Sequence, residues 1–155
     1  MKKITSLSFF LLVSVSAFAQ PKTLPDTTLK PIQIFPEKII WSDAKSPLPP
    51  GAKTVVLEGN PKKEGVFTIR MKFPSHYVLP AHVHPKDERV TVLSGSINVG
   101  IGDKLDKKNA MHYTAGCFYV NPAGIHHYVF TGDEDVVIQL TGIGPWEIEF
   151  IGQAK

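Results

Sequence analysis

The chain has 155 residues, with 17 Lys and Arg against 14 Asp and Glu, giving a formal charge of +3. Hydrophobic residues make up 43% and cysteine occurs once, which suits one domain with its own core and excludes a disulfide-stapled scaffold. Lys2 and Lys3 lie in a segment read below as removable, which leaves 15 basic and 14 acidic side chains. Such a balance offers no basic stripe of the kind nucleic-acid binding needs.

Residues 1–19 read as a cleavable signal peptide. Lys2 and Lys3 open it, residues 7–15 are apolar apart from serine, and Ala17-Phe18-Ala19 gives a small-x-small cleavage site. The apolar run is shorter than the roughly 20 residues a membrane span takes. No cysteine follows the cleavage site, so no stable membrane anchor is expected. The expected location is the periplasm or the cell exterior.

Residues 20–37 form a proline-rich arm with Pro21, Pro25, Pro31 and Pro36. Proline removes a backbone donor and fixes φ, which argues against a helix or a central strand here. Ile34, Phe35, Ile39, Ile40 and Trp41 supply an apolar edge suited to a barrel wall or to a second copy in a homodimer.

From residue 38 to residue 151 the pattern is that of one β domain. Residues 54–58 and 66–73 read as strands. In the second, Phe67, Ile69, Met71 and Phe73 alternate with Thr68, Arg70 and Lys72, as in a strand with one buried side. Residues 89–93 and 96–101 flank Ser94-Gly95, a hairpin-like turn. Residues 102–109 form a charged loop. Residues 118–120, 128–130, 136–140 and 146–150 complete the strands. No segment carries sustained helical periodicity, and short strands between Gly and Pro turns indicate a sandwich or barrel.

The chemistry-bearing stretch is PAHVHPKDERVTVLSG, residues 80–95. In a strand, residues i and i+2 share a face, so His82 and His84 project side by side. Two imidazoles so placed can converge on one cation at about 2.0–2.1 Å. Glu88, after the PKD turn, is an oxygen donor within reach. A further ligand is sought in GCFYVNPAGIHH, residues 116–127, where adjacent strand residues face opposite ways, so that only one of His126 and His127 points inward.

Both stretches resemble the two motifs of the cupin family. HVHPKDE followed by six residues and Gly95 is similar to the first. Gly116, five residues, Pro122-Ala123-Gly124, two residues and His127 are similar to the second. The resemblance implies a jelly-roll β-barrel, with His82, His84, Glu88 and His127 binding one metal. Two positions depart from it. His76 stands where the first motif usually opens with glycine, and Thr131 where the second often closes with asparagine. With residues 48–61, the strand VFTIRMKFP, the loop IGDKLD and the closing GIGPWEI, the chain resembles the single-domain, ChrR-like cupins over residues 38–151.

Three imidazoles and a carboxylate suit one divalent transition metal, Zn, Fe, Mn, Ni or Cu. With Fe or Mn such a site permits O₂ or Lewis-acid chemistry, and with Zn carbonyl polarisation. The expected activity is a metal-dependent enzyme, oxygenase-like or hydrolase-like, on a small organic molecule. The alternative is a non-catalytic metal or ligand binder. Phe67, Ile69, Met71, Tyr77, Val90, Val92, Phe118, Val120, Tyr128, Phe130, Ile138 and Leu140 are wall candidates, half of them facing inward. Tyr77, Arg70, Gln139 and Arg89 are candidates for orienting a ligand. Cys117 is expected to be a small buried hydrophobe, His112 structural, His126 outward-facing and His76 an exposed loop residue.

Overall fold

The computed structural model describes residues 30–45 and 47–152. The expected signal peptide and the arm as far as residue 29 lie outside the described residues. The chain divides into Met1–Pro31 and a compact unit from Ile32 to Lys155. All the described strands belong to the second unit. They are β1 (Ser42–Asp43), β2 (Lys53–Glu58), β3 (Gly65–Phe73), β4 (Val78–Val83), β5 (Glu88–Ser94), β6 (Ser96–Ile101), β7 (Met111–Thr114), β8 (Phe118–Asn121), β9 (His127–Thr131), β10 (Val136–Gly144) and β11 (Glu149–Phe150).

Two antiparallel sheets form, in the orders β1-β2-β3-β10-β5-β8 and β11-β4-β9-β6-β7. From β3 onward the chain crosses repeatedly from one sheet to the other, which is the winding of a jelly roll. Both sheets feed one core. β3, β5 and β10 contribute Phe67, Ile69, Met71, Val90, Val92, Ile138 and Leu140, while Leu79, Ile97, Val99 and Val129 come from the other sheet. Each such side chain contributes about 1.5–3 kcal/mol by leaving water. The alternation expected in β3 holds at Phe67, Ile69, Met71 and Phe73, all buried. Thr68 is also buried, and its hydroxyl is satisfied by that of Thr141 at 3.1 Å across the β3–β10 pair.

Four expectations need correction. Ser94-Gly95 is not a hairpin turn, because β5 and β6 lie in different sheets. Gly95, at φ 70°, bends the chain from one sheet to the other, and a Cβ there would meet Asp135 O at 2.4 Å. Trp146 to Ile148 is not strand: after β10 the chain runs irregularly before β11 adds two residues to β4. Cys117 is only half-buried, near the Thr114 hydroxyl. Its neighbours Phe118 and Val120 are exposed rather than lining a cavity, since β8 is an edge strand that turns Tyr119 and Asn121 inward.

Gly100, inside β6, has a packing reason. The ring of Tyr128 lies across it, and a Cβ would meet that ring at 2.1 Å. Tyr128 is thereby buried, with its hydroxyl donating to Asp106 O at 2.9 Å. This pins the loop after β6 to β9, the strand that carries His127.

Candidate metal centre

Strand pairing brings the separated histidines together. His82 in β4 is the register partner of His127 in β9. Their ring centroids are 4.1 Å apart. His84 falls one residue beyond β4, yet its ring remains on the same side, 5.0 Å from His82 and 5.3 Å from His127. One ligand nitrogen from each of the three lies within 4.8 Å of the others. Glu88 opens β5 in the facing sheet and closes the fourth side. Its Oε1 is 3.6 Å from His84 Nε2 and its Oε2 3.3 Å from His127 Nε2. All four residues are buried. His126 faces outward as expected, with Nδ1 2.6 Å from Asp103 Oδ1. His112 and His76 are exposed, the former bonded to Asn98 and the latter 3.5 Å from Asp133.

The backbone decides which nitrogen of each ring faces inward. His82 Nδ1 is 2.7 Å from Pro80 O, His84 Nδ1 2.6 Å from Glu147 O, and His127 Nδ1 3.0 Å from Ile125 O. A carbonyl only accepts, so each Nδ1 carries the hydrogen and each neutral ring turns the Nε2 lone pair into the site. His84 Nε2 and His127 Nε2 are buried with no hydrogen-bond partner. Three lone pairs and a carboxylate thus face one another, an arrangement that only a cation resolves. Anchoring of the second ring nitrogen is what metal-ligating histidines show. The donors present fit a divalent transition metal.

Electrostatics agree. Burial, reinforced by His127, drives His82 down from 6.5 to about 3 despite the Pro80 carbonyl. His84 is lowered as well, by burial first, against the pull of Glu88. Burial alone pushes Glu88 up, but His127, His84 and the Asn121 amide outweigh it and hold the carboxyl at about 2. Glu88 is therefore a carboxylate, while burial favours the neutral form of His82 and His84.

Sequence reasoning missed three site residues. Asn121 Nδ2 donates to Glu88 Oε2 at 2.8 Å, a contact made by the Glu88–Asn121 register of β5 and β8. Trp146 stacks on His84, and Tyr119 lines the cavity. The signal available for Asn121 was its place directly before Pro122 in the second motif. Burial, with the Glu88 charge and Tyr113, pushes the Tyr119 phenol well above 10, so it stays O–H.

Beside the histidines lies a cavity of about 110 Å³, walled by residues such as Ile69, Met71, Leu79, Ile97, Ile138 and Ile148. That is below the roughly 300–1,000 Å³ of a drug-sized pocket. Of the wall candidates named from sequence, only Ile69, Met71 and Ile138 line it, the others packing elsewhere or facing out. None of the four polar candidates reaches it. Tyr77 bonds Pro49 O, Arg70 bonds Gln139, and Arg89 bonds Asp87.

A family model described as "Domain of unknown function (DUF4437)" matches residues 43–149. The putative germin-like protein 9-2 of Oryza sativa subsp. japonica is 32% identical over 82 residues, which cover 52% of this chain and 38% of that relative. The chain thus matches well under half of that relative's length. The polyketide cyclase RemF from Streptomyces resistomycificus superposes with a TM-score of 0.67 at 13% identity, over 79% of this chain and 87% of that one. An RmlC-like cupin from Shewanella frigidimarina gives 0.55 at 18% identity, over 71% and 87%. The chain belongs to the DUF4437 family, and its domain has the cupin fold.

Proposed function

We propose that this protein is an exported metal-dependent cupin that acts on a small organic molecule, with His82, His84, Glu88 and His127 holding one divalent transition metal. The observation that carries this reading is the orientation of the three imidazoles, each locked by a backbone carbonyl with Nε2 inward. When bound, the metal supplies Lewis-acid polarisation or, if redox-active, electron exchange with O₂. The chain supplies the rest. Glu88 balances charge, Asn121 orients Glu88, and the apolar wall beside the site keeps water scarce. A structural neighbour that is a polyketide cyclase supports an enzyme on this fold, though fold alone does not fix chemistry.

The test is elemental analysis of the natively produced protein beside His84→Ala. One equivalent of metal in the first and a large loss in the second are expected. Protein loaded separately with Fe, Mn, Ni or Zn is then screened for oxygen uptake and hydrolysis. Export is tested by N-terminal sequencing of the mature protein, which should begin at Gln20.

One observation favours a second reading, a non-catalytic metal or ligand binder. Among the described residues Glu88 is the only carboxylate in the cavity wall, and it is committed to Asn121 and the histidines. No free general base stands beside it. A tightly bound ligand found by mass spectrometry, with no turnover on any metal, would select this reading.

A further inference from the structure

The polar groups of the cavity are few: Trp146 contributes a buried Nε1 donor without a partner, and most of the others are already committed. Thr54 Oγ1 donates to Arg70 O at 3.3 Å, and Glu88 accepts from Asn121. The three imidazoles use Nδ1 on backbone carbonyls. The hydroxyl of Tyr119, a residue only 8% exposed, makes no hydrogen bond among the described residues. Its ring is held against Tyr113, centroids 4.6 Å apart. A buried phenol is ordinarily hydrogen-bonded, so an uncommitted one in a cavity wall points to a partner that arrives from outside.

Charge says what kind of partner. The wall contains no lysine or arginine. Three neutral imidazoles and one carboxylate around a divalent cation leave one positive charge uncompensated in a largely apolar space. Buried charge is strongly disfavoured unless it is paired. A monoanion completes the balance, a dianion overshoots it, and a neutral ligand leaves it open. The cavity of about 110 Å³ limits the ligand to a few heavy atoms.

On the metal-binding reading above, on which this rests, we propose that the cavity takes a small organic monoanion with oxygen donors, a carboxylate or enolate, and that the Tyr119 hydroxyl donates a hydrogen bond to one of its oxygens. Tyr119 is then a ligand-binding residue in the wall of the same cavity as Glu88. Its apolar neighbours accommodate the hydrocarbon part.

The experiment uses the full-length protein loaded with Co(II), whose visible spectrum reports ligands at the ion. Acetate is the probe, acetamide its neutral counterpart, and Tyr119→Phe the variant that keeps the ring and its packing. Expected are stoichiometric cobalt in both proteins, a saturable spectral change with acetate and none with acetamide. Acetate affinity should be weaker by about ten- to a hundred-fold in the variant, the span of a hydrogen bond to a charged group. Equal acetate affinity in the two proteins would overturn the role of Tyr119 and leave the metal site standing. Equal responses to acetate and acetamide would overturn the anionic class. Failure of the wild-type protein to take up cobalt would overturn both the inference and the metal-binding reading beneath it.

Discussion

Trp146 lies flat on His84, with ring centroids 4.0 Å apart and planes 17° apart. The next residue, Glu147, accepts the His84 Nδ1 hydrogen at 2.6 Å. The segment after β10 therefore holds one imidazole by its face and by its edge. Lys86 ties the start of that segment down through Gly144 O at 2.7 Å, and Trp146 N donates to Pro61 O at 2.8 Å. Removing the indole opens a void beside the site. Trp146→Ala should cost about 2 kcal/mol, less than a fully buried tryptophan because this one is half-buried. Trp146→Phe should recover about half. Urea unfolding of the metal-free variants checks this, and an alanine variant as stable as wild type would remove the stack from the account.

On the proposed metal-binding reading, Asn121 acts through Glu88. Without its amide the carboxylate loses its one side-chain hydrogen bond of 2.8 Å and is free to turn away from His127. Asn121→Ala should lower metal affinity about ten- to a hundred-fold, as second-sphere losses do. Competition with a chromophoric chelator reads this directly. Asn121→Asp should be worse, since it sets a second carboxylate against Glu88 in a buried place.

The metal-free protein should lose stability in acid, in two stages. His82 titrates at about 3 in the fold against 6.5 when free. Between those values the unfolded chain binds the proton and the folded chain refuses it, so stability falls as pH drops through that window. It is fully present above 6.5. Glu88, about 2 in the fold against 4.5, has the same sign and adds its loss below 4.5. The combined loss should reach several kcal/mol. Urea midpoints measured stepwise from about pH 7.5 to about pH 4 should fall monotonically, and less steeply in His82→Asn. A flat profile would contradict a neutral, buried His82.

The four converging side chains were legible because their arrangement is local or motif-bound. His82 and His84 share a face by the two-residue period, and Glu88 follows one turn later. Parity allowed only one of His126 and His127 to face inward, and the spacing of the second motif from Gly116 and Pro122 selected His127. Asn121, Tyr119 and Trp146 were not legible, because their places depend on long-range pairing. Asn121 reaches Glu88 only because β8 pairs with β5, and Trp146 reaches His84 only because the tail returns to β4. Ser94-Gly95 shows the same limit. A glycine turn looks alike in sequence whether the next strand pairs back or leaves for the other sheet. The polar candidates failed for a related reason: Arg70 and Gln139 are cross-strand partners of each other in β3 and β10, which no single-strand pattern reveals.

His76 gives the last prediction. It is the only described non-glycine residue at positive φ, 58°, and it stands where the first cupin motif usually has glycine. Its backbone N–H donates to Gly132 O at 2.8 Å, so the strained conformation serves to tie the turn before β4 to the one after β9. Its side chain is mostly exposed and contributes no packing. The left-handed conformation costs a non-glycine residue roughly 1–2 kcal/mol. Glycine removes that cost but gives the unfolded chain more freedom, worth about 0.4–1 kcal/mol. His76→Gly should therefore lie within about 1 kcal/mol of wild type, on the stable side. A β-branched residue suffers most in this conformation, so His76→Val should be destabilised by at least about 1 kcal/mol. Metal content should be unchanged in both. Equal stability of the glycine and valine variants in urea would show that the turn carries no backbone strain at this position.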